Sequence, residues 1–167
     1  MNRIAIVGCP GSGKTTFTRE LAKKTKLPVI HLDYYYHQSQ YDYYHDKAAW
    51  IERVNQLIGQ DKWIMDGNYS STFERRFELA DTIIFFDLPR RTSMYGVIKR
   101  RIQYRNKQRH EMPSDWKEKA NLEFLRYVWN FKGKPRQKLV DLLAQAKDKE
   151  VVVFTSRVHA EEFLARM

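Results

Sequence analysis

The residues that most restrict this chain are 8–15, GCPGSGKT, lying between an apolar run, Arg3–Val7, and a segment of helical spacing, Lys14–Lys24. Glycines let the chain turn through positive φ and leave the backbone bare for close approach. A helix that begins directly after such a turn aims its unpaired N–H groups and the positive end of its dipole back into the loop. That combination is a cradle for an anion. The spacing is G-x-x-x-x-G-K-[ST], with Gly8, Gly13, Lys14 and Thr15 in the required places. In this pattern the lysine reaches the β- and γ-phosphates of a nucleotide and the Thr15 hydroxyl is offered to Mg²⁺. The expected contacts to ATP are therefore Gly8, Pro10, Gly11, Ser12, Gly13, Lys14, Thr15 and Thr16. The loop alone does not separate a kinase from an ATPase, a GTPase or a switch.

Four further apolar runs follow: Val29–Asp33, Trp63–Asp66, Thr82–Leu88 and Val151–Thr155. Several are apolar at consecutive positions, as strands buried on both faces of a parallel sheet are. Between them the spacing predicts helices over Lys47–Ile58, Arg91–Arg105, Trp116–Phe131 and Arg136–Lys147, with a last one over Val158–Ala165. Strands alternating with helices imply an α/β fold with right-handed crossovers. With the phosphate loop at its start, the expected class is a P-loop NTPase three-layer sandwich, built as one domain over residues 1–167. The polar stretch Asn106–Asp115, containing Pro113, reads as a mobile loop.

An apolar fraction of 43% is enough to repay the entropy of folding, which excludes a disordered chain. A lone cysteine, Cys9, excludes an internal disulfide and a Cys-rich zinc site. No run of 18 apolar residues occurs, and no secretory segment precedes the first strand; a soluble, cytoplasmic protein with no membrane partner is expected. The net charge of +10 is local. Arg90, Arg91, Lys99, Arg100, Arg101, Arg105, Lys107 and Arg109 have no acid between them, and the remaining cations nearly balance the acids. Such a cluster points to a polyanion, either nucleotide phosphates or a nucleic acid.

Three carboxylates end apolar runs: Asp33, Asp66 and Asp87. In an open parallel sheet, ligands bind beyond the carboxyl ends of the strands. Phosphoryl transfer uses acids there to hold Mg²⁺ and its waters or to take the acceptor's proton. Each also suits a turn or a helix cap, and Asp87, before Leu88 and Pro89, suits that role best.

The phosphate loop, HLDYYYH at 31–37, WIMDGNY at 63–69, Arg75 and Arg76, and IIFFDLPR at 83–90 together resemble the topology-modulation (FlaR-like) proteins of the adenylate-kinase and uridine-kinase group. The resemblance covers nearly the whole chain. It implies a five-stranded parallel sheet of order 2-3-1-4-5, helices on both faces, and a short helical lid, here about 99–116. It further implies an ATP-dependent phosphotransferase acting on a small acceptor such as a nucleoside or nucleotide, as a monomer or homodimer. By the same likeness Asp33 activates an acceptor hydroxyl, and Asp66, followed by Gly67, holds Mg²⁺ through water. The pattern then departs: an aromatic, a proline and a phosphate-binding arginine would follow, whereas this chain has Asn68, Tyr69 and Ser70. Arg75 or Arg76 is left to replace the arginine.

Arg101, Arg105 and Arg109 fall where such kinases carry lid arginines, which neutralise charge on the transferring phosphoryl. On one helix they would share a face at i, i+4 spacing. A solvated charged face is the competing reading, and a nucleic-acid surface, with nucleotide as a switch, is the alternative from another class. Six tyrosines and His37 and His45 between Asp33 and Asp46 suit either an acceptor pocket or simple packing, whereas Trp50, in an apolar helical stripe, reads as core. Cys9, beside Lys14 and a helix start, is expected either to be an oxidisable, ATP-protected thiol or to fill a gap. After the last strand, Arg157 is placed to stack on the adenine, with a cap from Thr155 or Ser156 as the other reading.

Overall fold

In the structure, a computed structural model describing residues 1–105, 107, 109, 111–114 and 121–167, strand β1 (Arg3–Gly8) is sealed on both faces. Ile4, Ala5, Ile6 and Val7 expose none of their surface. Period-two alternation splits them: Ile4 and Ile6 join a core under helices α1 (Lys14–Thr25) and α8 (Arg157–Ala165), and Ala5 and Val7 join the core on the other face. That second core is roofed by α3 (Lys47–Ile58), α4 (Phe73–Leu79), α5 (Arg90–Gln103), α6 (Leu122–Asn130) and α7 (Lys134–Gln145). Strands β2 (Val29–His31), β3 (Trp63–Asp66), β4 (Thr82–Phe86) and β5 (Glu150–Phe154) complete an all-parallel sheet in the order β2-β3-β1-β4-β5. The expected fold class is therefore present. No helix among the described residues is long and apolar enough to cross a membrane.

Element ends differ from the sequence reading in ways that matter for the site. The second strand stops at His31, and Leu32–Tyr36 turns directly into a short helix, α2. Asp33 thus sits on a helix rather than at a strand end. A 3₁₀ turn, Ser70–Thr72, and α4 follow β3; neither shows a long enough apolar period to stand out in the sequence. Helix α5 ends at Gln103 with Tyr104 as its C-cap, so Arg105 and Arg109 do not share a helix face with Arg101. Helix α7 starts two residues earlier than expected, because Pro135 fits the first turn, where no N–H is needed. Helix α6 begins at Leu122, capped by the Asn121 side chain, which accepts from Phe124 N at 2.8 Å. The expected start of this helix at Trp116, and the loop ends Asn106 and Asp115, lie outside the described residues.

Parallel register lines up the site. His31, Asp66, Ile6 and Ile84 occupy one row across β2, β3, β1 and β4. Asp66 therefore points to the α1 face, just beyond the phosphate loop. On the other side that loop presses on α5 with no room to spare. A methyl group on Gly96 would lie 2.0 Å from the carbonyl oxygen of Gly11 and 2.8 Å from Nη2 of Arg157. Glycine costs a helix interior up to about 1 kcal/mol, and its presence in the middle of α5 is explained by this backbone approach.

Asp87 follows β4 and is structural. Its Oδ1 accepts from Lys132 Nζ at 2.6 Å and Arg136 Nε at 2.9 Å, and its Oδ2 accepts from Arg136 Nη2 at 2.8 Å. Burial works to raise this carboxyl's pKa, but the bonds from Arg136 and Lys132 outweigh it and hold the pKa below the usual carboxylate value. A depressed native pKa contributes stability that is present above the unfolded value, about 4, and is lost as pH falls through the native one.

Two outcomes follow. Asp87→Asn is expected to lower stability at pH 7 by about 1–3 kcal/mol, and urea unfolding curves should show that gap closing below about pH 4. Gly96→Ala is expected to lower the melting temperature, with an overpacking cost of about 1–3 kcal/mol, although helix propensity alone predicts the opposite sign. Its affinity for MgATP, measured by calorimetry, should fall in parallel.

Candidate active site

The loop of residues 8–15 carries the backbone its sequence demands. Gly11 and Gly13 take φ of 79° and 106°, in the left-handed region open to glycine. Gly13 is the N-cap of α1, whose first turn has no side-chain cap and no acid. A methyl group built on Gly13 would meet only Arg157 Nε, at 3.7 Å, so the space in front of the helix end is open. A bare, uncapped helix start facing open space fits a phosphate. Lys14 Nζ is folded back onto the loop, donating to the carbonyl oxygens of Gly8 at 2.8 Å and Cys9 at 2.9 Å. Burial draws its pKa down, while Asp66, Cys9 and Asp33 pull the other way.

A cavity of about 1290 Å³ opens from this loop. Pro10, Gly11, Ser12, Gly13, Lys14, Thr15 and Thr16 all line it; Gly8 lies beneath, holding Lys14. Asp33 and Asp66 line the same cavity. Asp66 is 6% exposed; its Oδ1 pairs with His31 Nδ1 at 2.8 Å and its Oδ2 accepts from the Thr18 hydroxyl at 3.5 Å. At His31, burial disfavours the charge, yet the hydrogen bond and charge of Asp66, with Glu111 and Asp33 nearby, raise the pKa. No group of three or more His, Cys, Asp or Glu side chains among the described residues is placed to hold a metal ion by itself. A divalent cation would thus depend on Thr15, on Asp66 and on oxygens brought by a nucleotide.

The loop after β3 is tied to the phosphate loop by Asn68, to which the sequence reading gave no role, and is itself held by Arg76. Asn68 Oδ1 accepts from the backbone N–H of Gly8 at 3.0 Å. Arg76, fully buried, donates to the carbonyl oxygens of Gly67 and Asn68, both at 2.9 Å, and lies over the Phe73 ring. Burial brings its pKa down to about 9, so it stays charged at neutral pH. Arg75 is exposed and paired with Glu78 at 2.6 Å. Neither arginine lines the cavity, and neither takes the place of the absent phosphate-binding arginine. Arg157 makes contacts that the sequence reading did not include. Its Nη2 donates to Gly11 O at 2.9 Å and its Nε to Ser12 O at 3.4 Å, so it braces the loop from behind while also lining the cavity. Ser156 caps α8, accepting from His159 N at 3.2 Å.

The basic segment divides. Lys99, Arg100 and Arg109 line the cavity, whereas Arg101 and Arg105 are exposed and are not among its lining residues. The described part of the expected mobile loop is packed at its centre, where Arg109, Glu111 and Met112 are each at most 8% exposed and Glu111 pairs with Arg19 of α1 at 3.2 Å, while Lys107 and Ser114 are exposed.

The tyrosines divide too. Tyr36 and His37 face the cavity, Tyr43 and Trp50 are core, and Tyr34, Tyr41 and Tyr44 are exposed. Tyr69, Phe124, Tyr127 and Phe131 add further rings to the cavity lining. Cys9 is 4% exposed, its Sγ 3.7 Å from the Val128 carbonyl, and burial pushes the thiol pKa up. Of the two expected readings, the buried thiol fits the gap-filling one rather than the low-pKa, oxidisable one.

No family model matches this chain, and no curated protein matches it. Solved structures do. A shikimate kinase from Acinetobacter baumannii in complex with shikimate aligns over 99% of this chain and 90% of its own, with 13% identity and a TM-score of 0.61. A gluconokinase from Sinorhizobium meliloti 1021 aligns over 99% and 92%, with 16% identity and a TM-score of 0.58. A deoxyadenosine kinase from M. mycoides aligns over 98% and 95%, with 13% identity and a TM-score of 0.54. At these identities the likeness is one of fold: the chain has the fold of these P-loop kinases.

Proposed function

We propose that this protein is an ATP-dependent phosphotransferase that moves the γ-phosphoryl group to a hydroxyl of a small acceptor. The observation that carries this reading is that Lys14, at the phosphate loop, and Asp33, on α2, line one cavity together with Asp66. An in-line transfer needs a phosphate cradle, an acid for the acceptor's proton and room for both substrates, and one cavity supplies all three. The three fold relatives are named for kinase activity on different small molecules, which is consistent with this reading without choosing an acceptor.

In this mechanism the N–H groups of residues 11–16 and the start of α1 hold the ATP phosphates. Lys14 leaves the carbonyls of Gly8 and Cys9 and turns to the β- and γ-phosphates, where a buried ammonium is worth more than in water. Thr15, and Asp66 through water, would hold Mg²⁺, which would supply charge neutralisation at the phosphates. His31 keeps Asp66 oriented. Asp33 accepts the proton of the acceptor hydroxyl as its oxygen bonds to the γ-phosphorus and the bond to the β–γ bridging oxygen breaks, releasing ADP. Arg109, with Arg100 and Lys99, contributes positive charge along the nucleotide; Arg101 and Arg105 stay outside unless the segment moves further over the site. The ring-lined half of the cavity, with Lys134 and Lys138 at its edge, receives the acceptor.

The exposed cations Arg91, Arg101, Arg105 and Lys107 favour a second reading, a nucleotide-gated nucleic-acid binder. A steep fall of affinity with salt would mark it.

The test is ADP release from MgATP against nucleosides, nucleoside monophosphates and hydroxylated metabolites. Asp33→Asn is expected to lower acceptor-dependent turnover by about 10²–10⁴-fold with MgATP affinity unchanged, and Lys14→Ala to lose both. Equal turnover in Asp33→Asn and wild type would refute the assignment of the base.

A further inference from the structure

Asp33 stands on a five-residue helix and is itself exposed, a poor support for a group that must meet a hydroxyl in one geometry. One contact answers this. The Tyr69 hydroxyl donates to Asp33 Oδ1 at 2.8 Å, from the loop after β3 and across 36 residues of sequence. The other oxygen, Oδ2, accepts no hydrogen bond from the described residues. The phenol in turn has little freedom. Its ring lies 4.6 Å from the Tyr36 ring and 4.8 Å from the Trp50 ring, centroid to centroid, and those two meet edge-on at 5.0 Å. Trp50 is 2% exposed and anchored in α3, so α2, α3 and the β3 loop all converge on this one side chain.

We infer that Tyr69 is a positioning residue for the proposed transfer: its phenol holds Oδ1 of Asp33 and turns Oδ2 to the cavity for the acceptor hydroxyl. The inference rests on the phosphotransferase reading. Tyr69 also connects the two halves of the site. It is next to Asn68, which binds the Gly8 N–H of the phosphate loop, and its own loop carbonyls are clamped by Arg76. The base on α2 and the phosphate loop on β1 are thereby referred to one piece of backbone. The phenol keeps its proton at working pH, because burial and the neighbouring Asp33 carboxylate both raise its pKa, so it acts as a donor throughout. The charged and polar groups around this pair include Lys14, His31, Asp66, Arg76 of α4, Tyr36 of α2 and Tyr127 of α6.

The experiment compares wild type, Tyr69→Phe, Asp33→Asn and the double variant with the acceptor found in the panel above. Phenylalanine keeps the ring contacts, and a thermal melt checks that the fold is retained. The expected result is that Tyr69→Phe lowers kcat by about 10–100-fold, the size of a misplaced reacting group, with KM for ATP unchanged. In the Asp33→Asn background the same change should cost nothing more, because the two residues act as a unit. A merely structural role would give equal losses in both backgrounds, and that outcome, or a kcat equal to wild type, overturns the inference while leaving the kinase reading intact. A wild-type protein that phosphorylates no acceptor removes both.

Discussion

Buried main-chain polar groups must find partners, and in this protein that constraint builds the site. The segments that leave the carboxyl edge of the sheet are irregular, so their carbonyl and N–H groups have no ladder to join. Side chains from elsewhere supply the bonds. Arg76 takes two carbonyls of the β3 loop, Asn68 takes the N–H of Gly8, and Arg157 takes two carbonyls of the phosphate loop. Each bond satisfies a buried or part-buried group at a cost below that of leaving it unpaired. Together they fix the loops relative to one another, so that Lys14, Asp33 and Asp66 line one cavity.

Charge is divided between two tasks by depth and by neighbours. Asp87 is consumed by Lys132 and Arg136 and serves the join between β4 and α7. Asp66, nearly buried, is balanced by His31 and lies close enough to Lys14 to oppose the loss of its charge. The basic run of α5 is likewise split, because a helix shows neighbouring residues to different surroundings. Lys99 and Arg100 reach the cavity while Arg91 and Arg101 face water. A count of cations along the sequence cannot make that division.

Local signals carried much of the reading. The phosphate loop was legible because its chemistry is local: glycines, lysine and threonine within eight consecutive residues, a strand before and a helix after. Strands β1, β3 and β4 were legible because burial on both faces leaves continuous apolar runs, and the edge strands β2 and β5 because they too are short runs rich in Val and Ile. Short elements were not. Helices α2 and α4 are five and seven residues long and give no period to detect. The second run simply continued through Leu32 and Asp33, which moved Asp33 from a strand end to a helix. Gly96 had a visible signal, a glycine inside a helical pattern, but what it makes room for lies 85 positions away at Gly11.

Sequence by itself determined the class of fold, the anion cradle and the identity of the carboxylates near it, because each depends on residues adjacent in the chain. Tertiary structure alone decided which groups those residues meet. Arg76 became a backbone clamp rather than a phosphate ligand, Arg157 a brace of the phosphate loop, and Cys9 a buried thiol. Tyr69 came to hold Asp33. These outcomes turn on burial and on contacts between distant segments, and a side chain's chemistry is set by what the fold places beside it.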